Sequence, residues 1–83
     1  MASKNAKLFN FRFMTEDEYK VVFAEKLKTL MENKKMSTAE LSRLSSISEK
    51  TIRRYLHART IPNAVRAVRI ANALNIKPSE LIG

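Results

Sequence analysis

The chain has 83 residues, 45% of them apolar, a formal charge of +8 and no cysteine. That length holds one hydrophobic core, the apolar content argues against wholesale disorder, and the missing cysteines exclude disulfides and thiolate metal sites. The charge asks for an anionic partner, yet no apolar run approaches the roughly 18 residues of a membrane span and no continuous signal-peptide core opens the chain. A basic, cytoplasmic, single-domain protein is the expectation.

Residues 1–14, MASKNAKLFNFRFM, stand apart as an extension ahead of a domain over residues 15–83. Lys4, Lys7 and Arg12 would suit a basic arm. Phe9, Phe11 and Phe13, with Asn10 and Arg12 between them, alternate as in a strand. An isolated strand is not stable. Three uses therefore stay open: packing back on the first helix, pairing with a second copy, or docking a separate protein.

From Thr15 onward the punctuation is helical. Thr15 and Glu18 form a capping-box signal, and Glu16 and Asp17 add favourable charge to the first turn. Tyr19, Val22, Phe23, Lys26, Leu27, Leu30 and Met31 then keep helical spacing, so a first helix is predicted over about 16–34. Ser37 with Glu40 repeats the capping-box signal and opens a second helix, about 38–45, with Leu41 and Leu44 on one face. After Ser45-Ser46-Ile47, Ser48 caps a third helix, about 49–57, with Ile52, Tyr55 and Leu56 on one face and Lys50, Arg53 and Arg54 pointing away. Pro62 stops further helix and Asn63 caps a fourth, in which Ala67, Ile70, Ala71 and Leu74 mark one buried face. Asn75 suits a left-handed C′ position, and Pro78 with Glu80 suggests a short fifth helix ending at Ile82.

Two short helices joined by a tight turn, the second with an anchored apolar face and a basic free face, are shaped for the DNA major groove. At these residues the chain resembles a known family. Met36 to Ile82, MSTAELSRLSSISEKTIRRYLHARTIPNAVRAVRIANALNIKPSELI, with FAEKLKTLMENKK from Phe23 ahead of it, is similar to the Cro/phage-repressor (XRE-type) helix-turn-helix domains. The resemblance implies an all-α fold, a compact five-helix bundle of the lambda-repressor-like kind, binding double-stranded DNA as a homodimer on a palindromic operator. It maps inward-facing residues to Leu41, Ile47, Ile52 and Tyr55. It places the family's turn glycine at Ser46 and the glycine after the third helix at Ala58. Neither residue takes a positive φ as glycine does, at about 1 kcal/mol each, so the third helix is expected to run longer than usual.

Base contacts are expected from Glu49, Lys50, Thr51, Arg53 and Arg54. An arginine or lysine suits a guanine edge, and either Arg53 or Arg54 fits that role. Glu49 either serves the helix dipole or accepts from a cytosine amine, and Thr51 could meet a thymine methyl. Backbone contacts are expected from Thr38, Arg43, Ser48, Arg59, Thr60 and Asn63. Thr38 stands where the family often has a phosphate-touching glutamine, and Asn63 opens a helix N-terminus suited to phosphate. A basic helix face on its own is more often merely solvated; its place in the helix-turn-helix makes contact the better reading. Val65, Val68, Leu81 and Ile82 could together form a small apolar dimer surface.

Enzyme readings fail on inventory, since one histidine, no cysteine and no glycine-rich phosphate loop leave most catalytic schemes without parts. His57 reads as a surface or helix-end residue rather than a metal ligand, and no cofactor or metal is expected. The expected function is a sequence-specific transcriptional regulator of phage or prophage repressor type. Two rivals are an antitoxin-type autoregulator that docks a toxin through the N-terminal segment, and a protein-interaction or coactivator module that does not read DNA sequence.

Overall fold

The computed structural model describes residues 15–82; the expectations for residues 1–14, and for the side chain of Ile82, lie outside the described residues. The described part contains five helices and no strand: α1 (Glu16–Asn33), α2 (Thr38–Ser45), α3 (Glu49–Leu56), α4 (Ala64–Leu74) and α5 (Pro78–Ile82). Each start follows its cap. Thr15 and Glu18 close a reciprocal box, the Thr15 Oγ1 accepting from the Glu18 N–H at 3.1 Å and the Glu18 carboxylate from the Thr15 N–H at 2.9 Å. The box expected at Ser37 is only half made. Ser37 Oγ accepts from the Glu40 N–H at 3.1 Å, without a returning bond from the Glu40 side chain. Ser48 and Asn63 cap α3 and α4 in the same one-sided way.

The helix ends explain the compact turns. Lys35, Ser46, Ala58 and Asn75 all adopt positive φ, between 53° and 60°, and none is glycine. After α1, the Met36 N–H bonds the Met31 carbonyl and the Lys35 N–H bonds the Glu32 carbonyl. After α3, Arg59 bonds back to Arg54 and Ala58 to Tyr55; after α4, Ile76 bonds back to Ala71 and Asn75 to Asn72. These are three Schellman closures. At the end of α2 a single bond from the Ser46 N–H to the Ser42 carbonyl makes the simpler left-handed cap. The longer third helix expected from the missing glycines is therefore corrected: α3 stops at Leu56, because Ala58 takes the left-handed geometry despite its Cβ.

That geometry gives a stability prediction. A left-handed alanine costs about 1–2 kcal/mol, of which glycine would return part to unfolded-chain entropy. Ala58→Gly should raise stability by up to about 1 kcal/mol, an upward shift of the thermal midpoint of at most roughly 4–8 °C. A fall in the midpoint, followed by circular dichroism, would contradict a left-handed Ala58.

One core joins all five helices. Phe23, Leu27 and Met31 of α1 pack with Leu41, Ile47, Ile52, Tyr55, Ala67, Ile70, Ala71, Leu74 and Leu81. Helix α1 contacts α3 and α5, while α2 contacts α3 and α4. Phe23 meets Tyr55 edge to face, ring centroids 6.1 Å apart at 87°. Two expectations need correcting. Leu44 does not share the buried face of Leu41: it is 47% exposed, and Ser45 turns inward instead. The buried Ser45 hydroxyl donates to the Leu41 carbonyl at 2.6 Å, so its polar atom is satisfied within the helix. Leu81 is core rather than dimer surface, whereas Val65 and Val68 do lie exposed.

Candidate nucleic-acid interface

Helix α3 is held from behind and free in front. Its inward positions are filled by Ile52 and Tyr55, both almost fully buried, and Leu56 packs partly against the core. Because α1 and α2 both contact this helix, its orientation is fixed by packing rather than by its own short length. Eight residues alone would not hold a helix in water.

The outward face carries the expected chemistry. Lys50, Arg53 and Arg54 are exposed, and Glu49 and Thr51 are half-buried at the helix start. Ser48 Oγ accepts from the Thr51 N–H at 3.2 Å and donates to the Thr51 hydroxyl at 2.9 Å. That bond leaves the Thr51 hydroxyl engaged at the cap. One turn along, an Arg53 Nη donates to a Glu49 Oε at 2.9 Å, an ion pair with the acid toward the helix N-terminus. An exposed pair of that order and spacing is worth about 0.3–0.5 kcal/mol, so its effect on stability is small. The side chains of Lys50, Arg54 and Arg59 make no ion pair among the described residues.

Lys50, Arg53, Arg54, His57 and Arg59 line an open cleft of about 280 Å³. The Schellman turn builds it. With Ala58 left-handed, the Arg59 N–H returns to the Arg54 carbonyl at 2.8 Å, and the chain folds Arg59 back beside the end of α3. No carboxylate lines this cleft. It is suited to an anion with oxygens projecting outward, as phosphates do along a duplex.

The structure thus gathers four of the expected contact residues, Lys50, Arg53, Arg54 and Arg59, and adds His57. The sequence carried a signal for His57, since positions 50, 53, 54 and 57 fall at i, i+3, i+4 and i+7 on one stripe. His57 caps α3 by donating its own N–H to the Arg53 carbonyl, which makes it the helix-end histidine expected. The remaining candidates lie outside the cleft. Thr38 and Arg43 are on α2, the first half-buried and the second exposed. Thr60 donates weakly to the Ile61 carbonyl at 3.5 Å, and Asn63 spends its side-chain oxygen on the Arg66 N–H at 2.8 Å.

Comparisons with known proteins agree with this geometry. Residues 26–83, from the middle of α1 through the last residue, match the family model of the Cro/C1-type HTH DNA-binding domain. No curated protein and no solved structure matches the chain. The matched span contains the two-helix motif, the cationic cleft and the capped α4 that follows it. With an all-helical bundle and a basic third helix anchored on the core, the chain belongs to the Cro/C1-type helix-turn-helix DNA-binding family.

Proposed function

We propose that this DNA-binding domain is a sequence-specific transcriptional regulator of phage or prophage repressor type, binding a palindromic operator as a homodimer and occluding a promoter. The observation that carries the reading is the outward face of α3, where Lys50, Arg53 and Arg54 stand exposed on a helix anchored by Ile52 and Tyr55. In this reading α3 lies in the major groove. Lys50, Arg53 and Arg54 meet base edges there, with Thr51 near the entry of the helix. Arg59, Thr38, Arg43, Ser48, Thr60 and Asn63 grip the flanking phosphates. Exposed Val65 and Val68 on α4 are the candidate seam between two copies. A protein acting on chromosomal or phage DNA works in the cytoplasm, and none of its proposed roles requires catalysis.

Selection of bound sites from random duplexes tests the reading. A two-fold symmetric site, with half-sites about one helical turn apart, is the expected result. Binding without any enriched sequence would overturn the regulator reading in favour of a module that does not read bases.

A further inference from the structure

The Glu49–Arg53 pair gives Glu49 a task that neither capping nor base readout explains. It is one of two ion pairs among the described residues; the other, Lys20 with Asp17, is on α1. Of the three cations on the outward face of α3, Arg53 alone is paired among the described residues. The contact is a single hydrogen bond from one Nη, so four of the five guanidinium N–H groups stay available. Both side chains are open to solvent, Glu49 at 43% and Arg53 at 57% exposure, so the pair biases Arg53 without locking it.

We propose that Glu49 is a positioning residue that sets the base selectivity of Arg53. The proposal rests on the DNA reading above. A free arginine on a groove-facing helix swings to whichever phosphate is nearest and gains one released counterion on any duplex. Drawn toward Glu49, Arg53 spends less of its time at a phosphate and keeps its remaining N–H groups for an acceptor pair such as guanine O6 and N7. The pairing also neutralises Glu49, whose carboxylate would otherwise stand unscreened beside the phosphates. The two side chains form one neutral recognition unit, flanked by Lys50 and Arg54, which meet base edges of their own, and by Arg59, which supplies unspecific attraction.

The test compares wild type, E49Q, R53Q and the double variant on the selected operator and on a random duplex at about 0.1 M salt. E49Q should raise affinity for random duplex by roughly twofold, the factor that releasing Arg53 from an exposed i,i+4 pair allows. Affinity for the operator should not rise, so the operator-to-random ratio falls by the same factor. In the R53Q background, where the ratio is already low, E49Q should lower it no further. An equal rise on both duplexes would overturn the proposal, because Glu49 would then be a plain repulsive charge. A loss confined to the operator that persists in the R53Q background would overturn it by making Glu49 a base reader itself. A shift in thermal midpoint with unchanged binding would leave only a cap. If wild type bound neither duplex, the DNA reading itself would fail, and this inference with it.

Discussion

Replacing Lys50 and Arg54 together by alanine should weaken operator binding by about 30-fold to 10⁴-fold, with almost no change in stability. Each base-directed contact of this kind is worth roughly 1–3 kcal/mol, and 1.4 kcal/mol is tenfold in affinity. Both side chains are exposed and make no ion pair among the described residues, so their loss removes nothing the fold uses. Surface changes of that sort stay within about 0.5 kcal/mol, and alanine favours helix. Salt supplies a second readout. Because both meet base edges, the slope of log K against log salt should change little, whereas a slope shallower by roughly 0.9 per residue would place them on phosphates instead. Unchanged operator affinity in a folded double variant would sink the assignment of α3 to the groove. It would favour the interaction-module rival. A loss of affinity equal on all sequences, with a shallower slope, would instead mean that the two residues grip phosphates without reading bases.

Much of the frame that sets up this result could be read in the residues. Thr15, Ser37, Ser48 and Asn63 all cap the helices expected to begin there, because short side chains that accept from a backbone N–H leave a local signature. The core face of α4 was equally plain, since Ala67, Ile70, Ala71 and Leu74 follow the helical period and all four are buried. The helix ends were less legible. A left-handed closure is a pattern of backbone bonds, and lysine, serine and alanine at the left-handed position carry no side-chain signal for it. Asn75 was foreseeable because asparagine tolerates that conformation; Lys35 and Ala58 were not. Leu44 misled for another reason. Over two turns, positions i+3 and i+4 both lie near the buried face, and tertiary contact chose Ser45. Periodicity marks a face and cannot rank two neighbours on it.

The site shows the same division. The cations of α3 were visible as a stripe, but the cleft they form with Arg59 depends on the left-handed turn at Ala58. The Glu49–Arg53 bond was open to inference from i,i+4 spacing, although spacing alone leaves Glu49 equally free to face a base. The proposed contact surface sits on a helix packed against the core and on a turn closed by one left-handed alanine. Stability of the turn and composition of the site are thereby linked.

The edge-to-face contact of Phe23 with Tyr55 ties α1 to the buried side of α3, and two substitutions there should act in opposite directions. Phe23→Ala removes a ring that is 2% exposed and should cost about 3–5 kcal/mol. A domain of this size has only about 5–10 kcal/mol in total, so the variant should keep at most about 7 kcal/mol and unfold well below the wild-type midpoint. Its DNA binding should fail with the fold, and operator in hundredfold excess over Kd should restore about 2.7 kcal/mol of stability. Tyr55→Phe should do the reverse. The Tyr55 hydroxyl is buried and has no hydrogen-bond partner among the described residues, a state that costs roughly 1–3 kcal/mol. Deleting the oxygen keeps the ring against Phe23 and should leave stability unchanged or raise it by about 1 kcal/mol, with DNA affinity the same. Denaturant unfolding of the two variants checks both signs. A loss above about 1 kcal/mol in Tyr55→Phe would mean the hydroxyl is satisfied after all, and that α3 is held in place by a polar tether as well as by packing.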